Sequence, residues 1–132
     1  MASIAVEAPA SSTANPPFAH EGHRVCETLR RFGLQRVRPW LANALAAEGF
    51  SRPSPIQAAA MPLVAQHADV ILHAPTGSGK TLAFLVPILS RLEPGRPMQL
   101  LVLVPSRELA LQMAAQVQRL LQPSRALGLA LV

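Results

Sequence analysis

Apolar positions along this chain follow two patterns, one spaced as on a helix and one continuous. Leu41, Ala44, Leu45 and Glu48 share a face, predicting a helix over Pro39–Glu48 with proline in its first turn and Gly49 at its end. A second helix is predicted from Ser54 as N-cap and Pro55 as first residue to about Gln66. Pro62 lies inside it and predicts a kink or an early stop. After Asp69 the pattern changes. Val70-Ile71-Leu72, Leu100–Val104 and Ala126–Val132 are continuous apolar runs of the kind that form buried strands. Between them lie helices predicted from Lys80 to about Leu92 and from Arg107 to Leu121. Strand, helix, strand, helix, strand is the order of an α/β fold built on a parallel sheet.

The front of the chain differs. Residues 1–23 are rich in Ala, Ser and Pro and carry neither period, which predicts a disordered leader. The leader lacks the apolar segment of a secretory signal. It has no arginine before Arg24 and carries Glu7 and Glu21, which argues against a mitochondrial presequence and leaves a plastid transit peptide as the weaker alternative. From Arg24 to Arg52 six arginines face only Glu27 and Glu48.

Composition narrows the classes. At 132 residues the chain supports one small domain. Its longest apolar run, Leu82–Leu89, is broken by Pro87 and falls well short of the ~18 residues that cross a bilayer, so no membrane partner is expected. The single cysteine, Cys26, excludes an internal disulfide and suits a reducing, intracellular setting, cytoplasmic or nuclear. A net charge of +5 favours an anionic partner such as nucleic acid without proving one. His20, His23 and Cys26 have metal-like spacing but no fourth ligand nearby, which makes a poor zinc site.

Ala74-Pro75-Thr76-Gly77-Ser78-Gly79-Lys80-Thr81 fits the Walker A pattern, with alanine in the first position. A triphosphate needs several donors aimed at one spot, and consecutive backbone N–H groups in a wrapped loop provide them. Gly77 and Gly79 allow the required angles, and the helix that follows turns its positive end toward the anion. Lys80, the only lysine in the chain, would reach the β and γ phosphates, and the Thr81 hydroxyl would ligate Mg²⁺. A chain this long shows the loose pattern by chance about once in a hundred times, and here a strand-like run precedes it and an apolar helix follows. The plainer alternative is a glycine-rich turn that binds nothing.

Three segments together resemble one family. Gly49-Phe50-Ser51-Arg52-Pro53-Ser54-Pro55-Ile56-Gln57 resembles the Q motif of DEAD-box RNA helicases, with Ser54 where threonine is usual. Ala74–Thr81 resembles that family's motif I, and Pro105-Ser106-Arg107-Glu108-Leu109-Ala110 with Gln112 resembles motif Ia, Ser106 again replacing threonine. Phe32 stands at the spacing of the family's upstream aromatic, and Arg36-Val37 replaces a common Gly-Leu pair. The resemblance covers about Phe32 to Val132.

It implies an incomplete RecA-like P-loop domain with a parallel sheet, divided into a Q-motif region at 31–59 and a truncated ATP-binding domain at 60–132. It also implies ATP and Mg²⁺ as cofactors and RNA as partner; no protein partner is indicated. Gln57 would read adenine with its amide and Phe32 would stack on the ring, while residues 74–81 hold the phosphates and Lys80 and Thr81 serve catalysis. Pro105, Ser106 and Arg107 would hold RNA phosphates without sequence readout. Taken singly, Gln57 reads as a surface residue, Phe32 as core, and Arg107 with Glu108 as mere complements to a helix.

Hydrolysis in the family also needs an Asp-Glu-Ala-Asp motif and a second RecA-like domain. Asp69 is the only aspartate and precedes the loop, so these residues lack that motif. The expectation is therefore the front of a helicase that couples ATP hydrolysis to local RNA unwinding, itself without turnover and with an unpaired sheet edge prone to aggregation. The alternative is a non-catalytic nucleotide- or RNA-binding module.

Overall fold

A computed structural model describes residues 19–122, 124 and 127–129. Their regular elements are α1 (Ala19–Arg31), α2 (Pro39–Ala47), α3 (Pro55–Ala65), α4 (Lys80–Leu89) and α5 (Arg107–Leu121). Residues 1–18 of the expected leader lie outside the described residues, and α1 takes in the last five.

No helix is predicted before Pro39, yet α1 has a clear stripe. Gly22, Val25, Cys26 and Leu29 recur at helical spacing and are all buried. They pack on α2, where a Cβ on Gly22 would strike the Asn43 side chain, so the two backbones approach closely. Burial pushes the Cys26 thiol pKa up, and Arg30 draws it partly back.

α2 inserts Leu41, Ala42, Ala44 and Leu45 into the core and packs also on the C-terminal half of α5, through Val117, Leu120 and Leu121. The Glu48 carboxylate joins Arg119 across that contact at 3.3 Å. α3 packs on α4, whose Leu85, Val86 and Leu89 complete one continuous apolar cluster with Met61. Pro62 does not stop α3, which runs on to Ala65. α4 ends at Leu89, sooner than the expected Leu92, and α5 keeps its expected bounds.

Three successive helices end in the same way. The residue after the C-cap turns left-handed, and the next two amides bond back into the last turn, which is the Schellman arrangement. In α1, Gly33 N–H donates to Arg30 O at 3.0 Å and Leu34 N–H to Leu29 O at 3.1 Å. In α2, Gly49 and Phe50 donate to Ala46 O and Leu45 O, both at 2.9 Å. In α3, His67 and Ala68 donate to Val64 O and Leu63 O, both at 3.1 Å, with a histidine (φ 61°) where the others have glycine.

The expected α/β fold is overturned. The described residues contain no strand, and no backbone hydrogen bond joins the runs Val70–Leu72 and Leu100–Val104. Exposure in them still alternates: Ile71, Leu101 and Leu103 are exposed while Val70, Leu72, Leu100, Val102 and Val104 are half-buried. A strand satisfies its backbone only through a lateral neighbour, and neither run has one among the described residues, so apolar patterning alone does not make a sheet. Most of the third run, Ala126–Val132, lies outside the described residues. The architecture described is an assembly of helices joined by irregular segments. No helix among the described residues is long and apolar enough to cross a membrane.

Candidate nucleotide-binding loop

The loop Ala74–Gly79 enters α4 through a left-handed residue. Gly79 is the N-cap of α4 at φ 89°, and Gly77 within the loop has φ 79°. A side chain at 79 would be strained by that φ, and its Cβ would push the Gln57 amide away from Gly79 O. Lys80 folds back across the loop, its ammonium donating to Ala74 O at 2.6 Å and Pro75 O at 2.7 Å.

The loop leaves donors unspent. Among the described residues the N–H groups of Gly77, Gly79, Lys80 and Thr81 have no protein acceptor. The Ser78 hydroxyl is buried without a partner as well. A buried orphan hydroxyl is costly, and together with four unpaired N–H groups beside an ammonium and a helix N-terminus it makes the donor set of an anion site. The residues present therefore fit a polyphosphate.

α3 holds this loop from the side. Ser54 caps α3 in a capping box: its oxygen accepts from Gln57 N–H at 3.5 Å, and Gln57 Oε1 accepts from Ser54 N–H at 2.9 Å. Both side chains then reach across. Ser54 Oγ donates to Ser78 O at 2.8 Å, and Gln57 Nε2 donates to Gly79 O at 3.1 Å. Gln57 is only 5% exposed. A residue expected to read a base thus spends one donor and one acceptor on α3 and the loop, keeping its second N–H and second lone pair. Sequence reading placed Ser54 as a cap but missed this tether; the signal was the Ser-x-x-Gln capping-box spacing itself.

The other expected site residues lie elsewhere. Phe32 is half-buried at the C-cap of α1 and enters none of these bonds; its neighbour Gly33 abuts Pro62 of α3. Pro105, Ser106 and Arg107 are exposed at the start of α5, where Ser106 Oγ accepts from Leu109 N–H at 3.3 Å. Arg107 has no ion-pair partner among the described residues. Thr81 is half-buried in the first turn of α4. His20 and His23 are exposed while Cys26 turns inward, and no group of three His, Cys, Asp or Glu that could hold a metal occurs among the described residues.

Residues 54–132 match the family model described as DEAD/DEAH box helicase. The chain is 45% identical over 100 residues to the ATP-dependent RNA helicase SrmB of Haemophilus influenzae, covering 71% of this chain and 23% of that protein. It is 40% identical over 114 residues to DEAD-box ATP-dependent RNA helicase 26 of Oryza sativa subsp. japonica, covering 84% and 21%. With the ATP-dependent RNA helicase DeaD of Buchnera aphidicola the identity is 45% over 88 residues, covering 66% and 15%. The chain spans less than a quarter of the length of these relatives.

Proposed function

The chain belongs to the DEAD-box family of ATP-dependent RNA helicases, and from that premise we propose that residues 74–81 bind the phosphates of ATP while Pro105, Ser106 and Arg107 bind the RNA backbone. The observation that carries the ATP reading is the set of unpaired donors around Ser78 and Lys80. Lys80 exchanges its bonds to Ala74 O and Pro75 O for phosphate oxygens. Thr81 offers its hydroxyl to Mg²⁺. Gln57 turns its remaining amide capacity to the adenine edge while still anchoring Gly79 O. Mg·ATP, when bound, would supply a phosphoryl group for transfer to water only where the family's acidic motif is also present. Arg107, exposed and without an ion-pair partner among the described residues, gives RNA a backbone contact that any sequence satisfies.

These residues bind and orient; they do not include the family's acidic motif, because the sole aspartate precedes the loop. The 132 residues therefore bind ATP and RNA without turnover, and coupling of hydrolysis to local unwinding belongs to a protein that also carries that motif.

Calorimetric titration of the chain with Mg·ATP, Mg·GTP and inorganic tripolyphosphate tests the reading. The parent binds ATP and tripolyphosphate, and prefers ATP to GTP. Lys80→Ala weakens ATP and tripolyphosphate about tenfold or more, the scale of a charged hydrogen bond. Gln57→Ala weakens ATP most and tripolyphosphate measurably, because it both faces the base and steadies the loop. No binding of ATP by the folded parent would sink the proposal, and equal affinity for GTP would remove the adenine role of Gln57.

A further inference from the structure

α3 and α4 run side by side with both N-termini at the phosphate loop, tied there by Ser54 and Gln57. At their other ends Arg91 ties them again, one guanidinium nitrogen donating to Val64 O and Ala65 O, both at 3.1 Å. Beside that second tie lies a concavity of about 450 Å³. Ten residues of helix put it ~15 Å from the phosphate loop, so it is no part of the nucleotide site. We propose that this concavity docks an acidic segment of a partner protein that carries an apolar side chain beside its carboxylates.

Charge gives the first argument. Arg91, Arg96 and His67 line the concavity, and no carboxylate does among the described residues. Arg96 already pairs with a carboxylate, lying 3.7 Å from Glu93, but both side chains are more than 60% exposed, and such a pair is readily displaced. Arg91 is pinned through one nitrogen, so its remaining donors are held in place at little entropic cost. Ile88, Leu92 and Met98 supply the apolar part of the wall. Among the described residues the His67 imidazole is the only ring in the lining, and no Phe, Tyr or Trp gives the broad stacking platform that a single-stranded nucleic acid uses.

Backbone geometry gives the second. His67 and Met98 are the two non-glycine residues with positive φ among those described, at 61° and 48°, and both line this concavity. The His67 angle belongs to the turn that ends α3, so Met98 is the one whose backbone conformation no helix end accounts for, and such conformations occur where a surface is shaped for a ligand. Met98 is 99% exposed, an apolar knob on the rim. The loop that presents it is built: Gln99 Oε1 accepts from Glu93 N–H at 2.8 Å, and Gln99 Nε2 donates to Glu93 O at 2.8 Å and Arg96 O at 2.7 Å. The size suits a few side chains.

Fluorescence anisotropy with labelled Glu-Leu-Glu-Glu-Leu-Glu tests the proposal on the full chain. The parent binds it, and the glutamine counterpart Gln-Leu-Gln-Gln-Leu-Gln binds at least about tenfold more weakly. Arg96→Glu costs about tenfold and Met98→Ser severalfold, with helicity by circular dichroism unchanged. Since Met98 touches solvent on all sides, Met98→Ser remains readable should the charge reversal disturb the loop. Methyl NMR of the parent shows the Met98 signal shifting on titration. No binding, equal affinity of parent and variants, binding that leaves the Met98 methyl unmoved, or displacement of the peptide by poly(U) would each overturn it.

Discussion

Helix α2 and the run Leu100–Val104 put their leucines to opposite uses. Leu41 and Leu45 of α2 are fully buried, whereas Leu101 and Leu103 are 81% and 84% exposed. The two segments are similarly apolar, so hydrophobicity does not separate them. Backbone satisfaction does. α2 closes its hydrogen bonds within itself and finishes them with Gly49 and Phe50, then has only to find a face to bury. The run at 100–104 has no way to close its own bonds and depends on a neighbour brought from elsewhere. A helix is a local solution and a strand is a contract with another strand. The exposed alternate positions of the runs, Ile71, Leu101 and Leu103, also make the most exposed apolar surface outside Met98, and such surface favours association between chains.

The strongest way to break this comparison is to truncate one leucine from each segment. Leu45→Ala empties a fully buried site and should cost about 2–5 kcal/mol in urea unfolding. Leu103→Ser, mostly in solvent, should stay within about 0.5 kcal/mol and should raise solubility. Equal losses would mean that Leu103 is buried in solution and that the run has found a partner, for example in a second copy of the chain.

The next test removes a local solution at its weakest point. Ser54→Ala deletes the cap of α3 and, with it, the bond to Ser78 O. The cap alone is worth about 1 kcal/mol. Because the same hydroxyl steadies the loop at residues 74–79 proposed to hold phosphate, tripolyphosphate affinity should fall together with stability. Gln57 N–H and Ser78 O both lose a partner in this variant, whereas Ser54→Thr keeps the hydroxyl and should retain both properties. Loss of stability with unchanged tripolyphosphate affinity would show that the tether matters to the helix only.

What could be seen in the sequence follows the same division. Pro39 and Gly49 marked α2, Ser54-Pro55 marked the start of α3, and α5 was bounded correctly from its apolar spacing, because each of these signals acts within a few residues. The tight turn at residues 74–79 was equally legible, since its glycines and the lysine that follows are constrained by the chain's own geometry. α1 was overlooked because Ala, Ser and Pro before it and arginines after it obscured the spacing of Gly22, Val25, Cys26 and Leu29. The sheet was expected from runs that carry the right residues, but pairing is decided by what lies beside a run, and no residue inside it encodes that. Gln57 shows the same limit at the site. Its identity was legible, while its tether to Gly79 O depends on two segments 22 residues apart meeting.

The smallest effect is also the sharpest, because it concerns one backbone angle. Gly33 and Gly49 take the left-handed position at the ends of α1 and α2 at φ 88° and 78°, and His67 takes it at the end of α3 at φ 61°. The hydrogen bonds are the same in kind and nearly the same in length, so α3 differs from its two neighbours in carrying a Cβ where none is favoured. His67→Gly should relieve that strain, less the extra freedom glycine gains in the unfolded chain. The expected net is a stabilisation of about 0.5–1 kcal/mol in urea, with an unchanged m-value and faster exchange nowhere in α3. If stability falls instead, the imidazole earns its place through contacts in the concavity it lines with Arg91, and the end of α3 is held by its side chains more than by its turn.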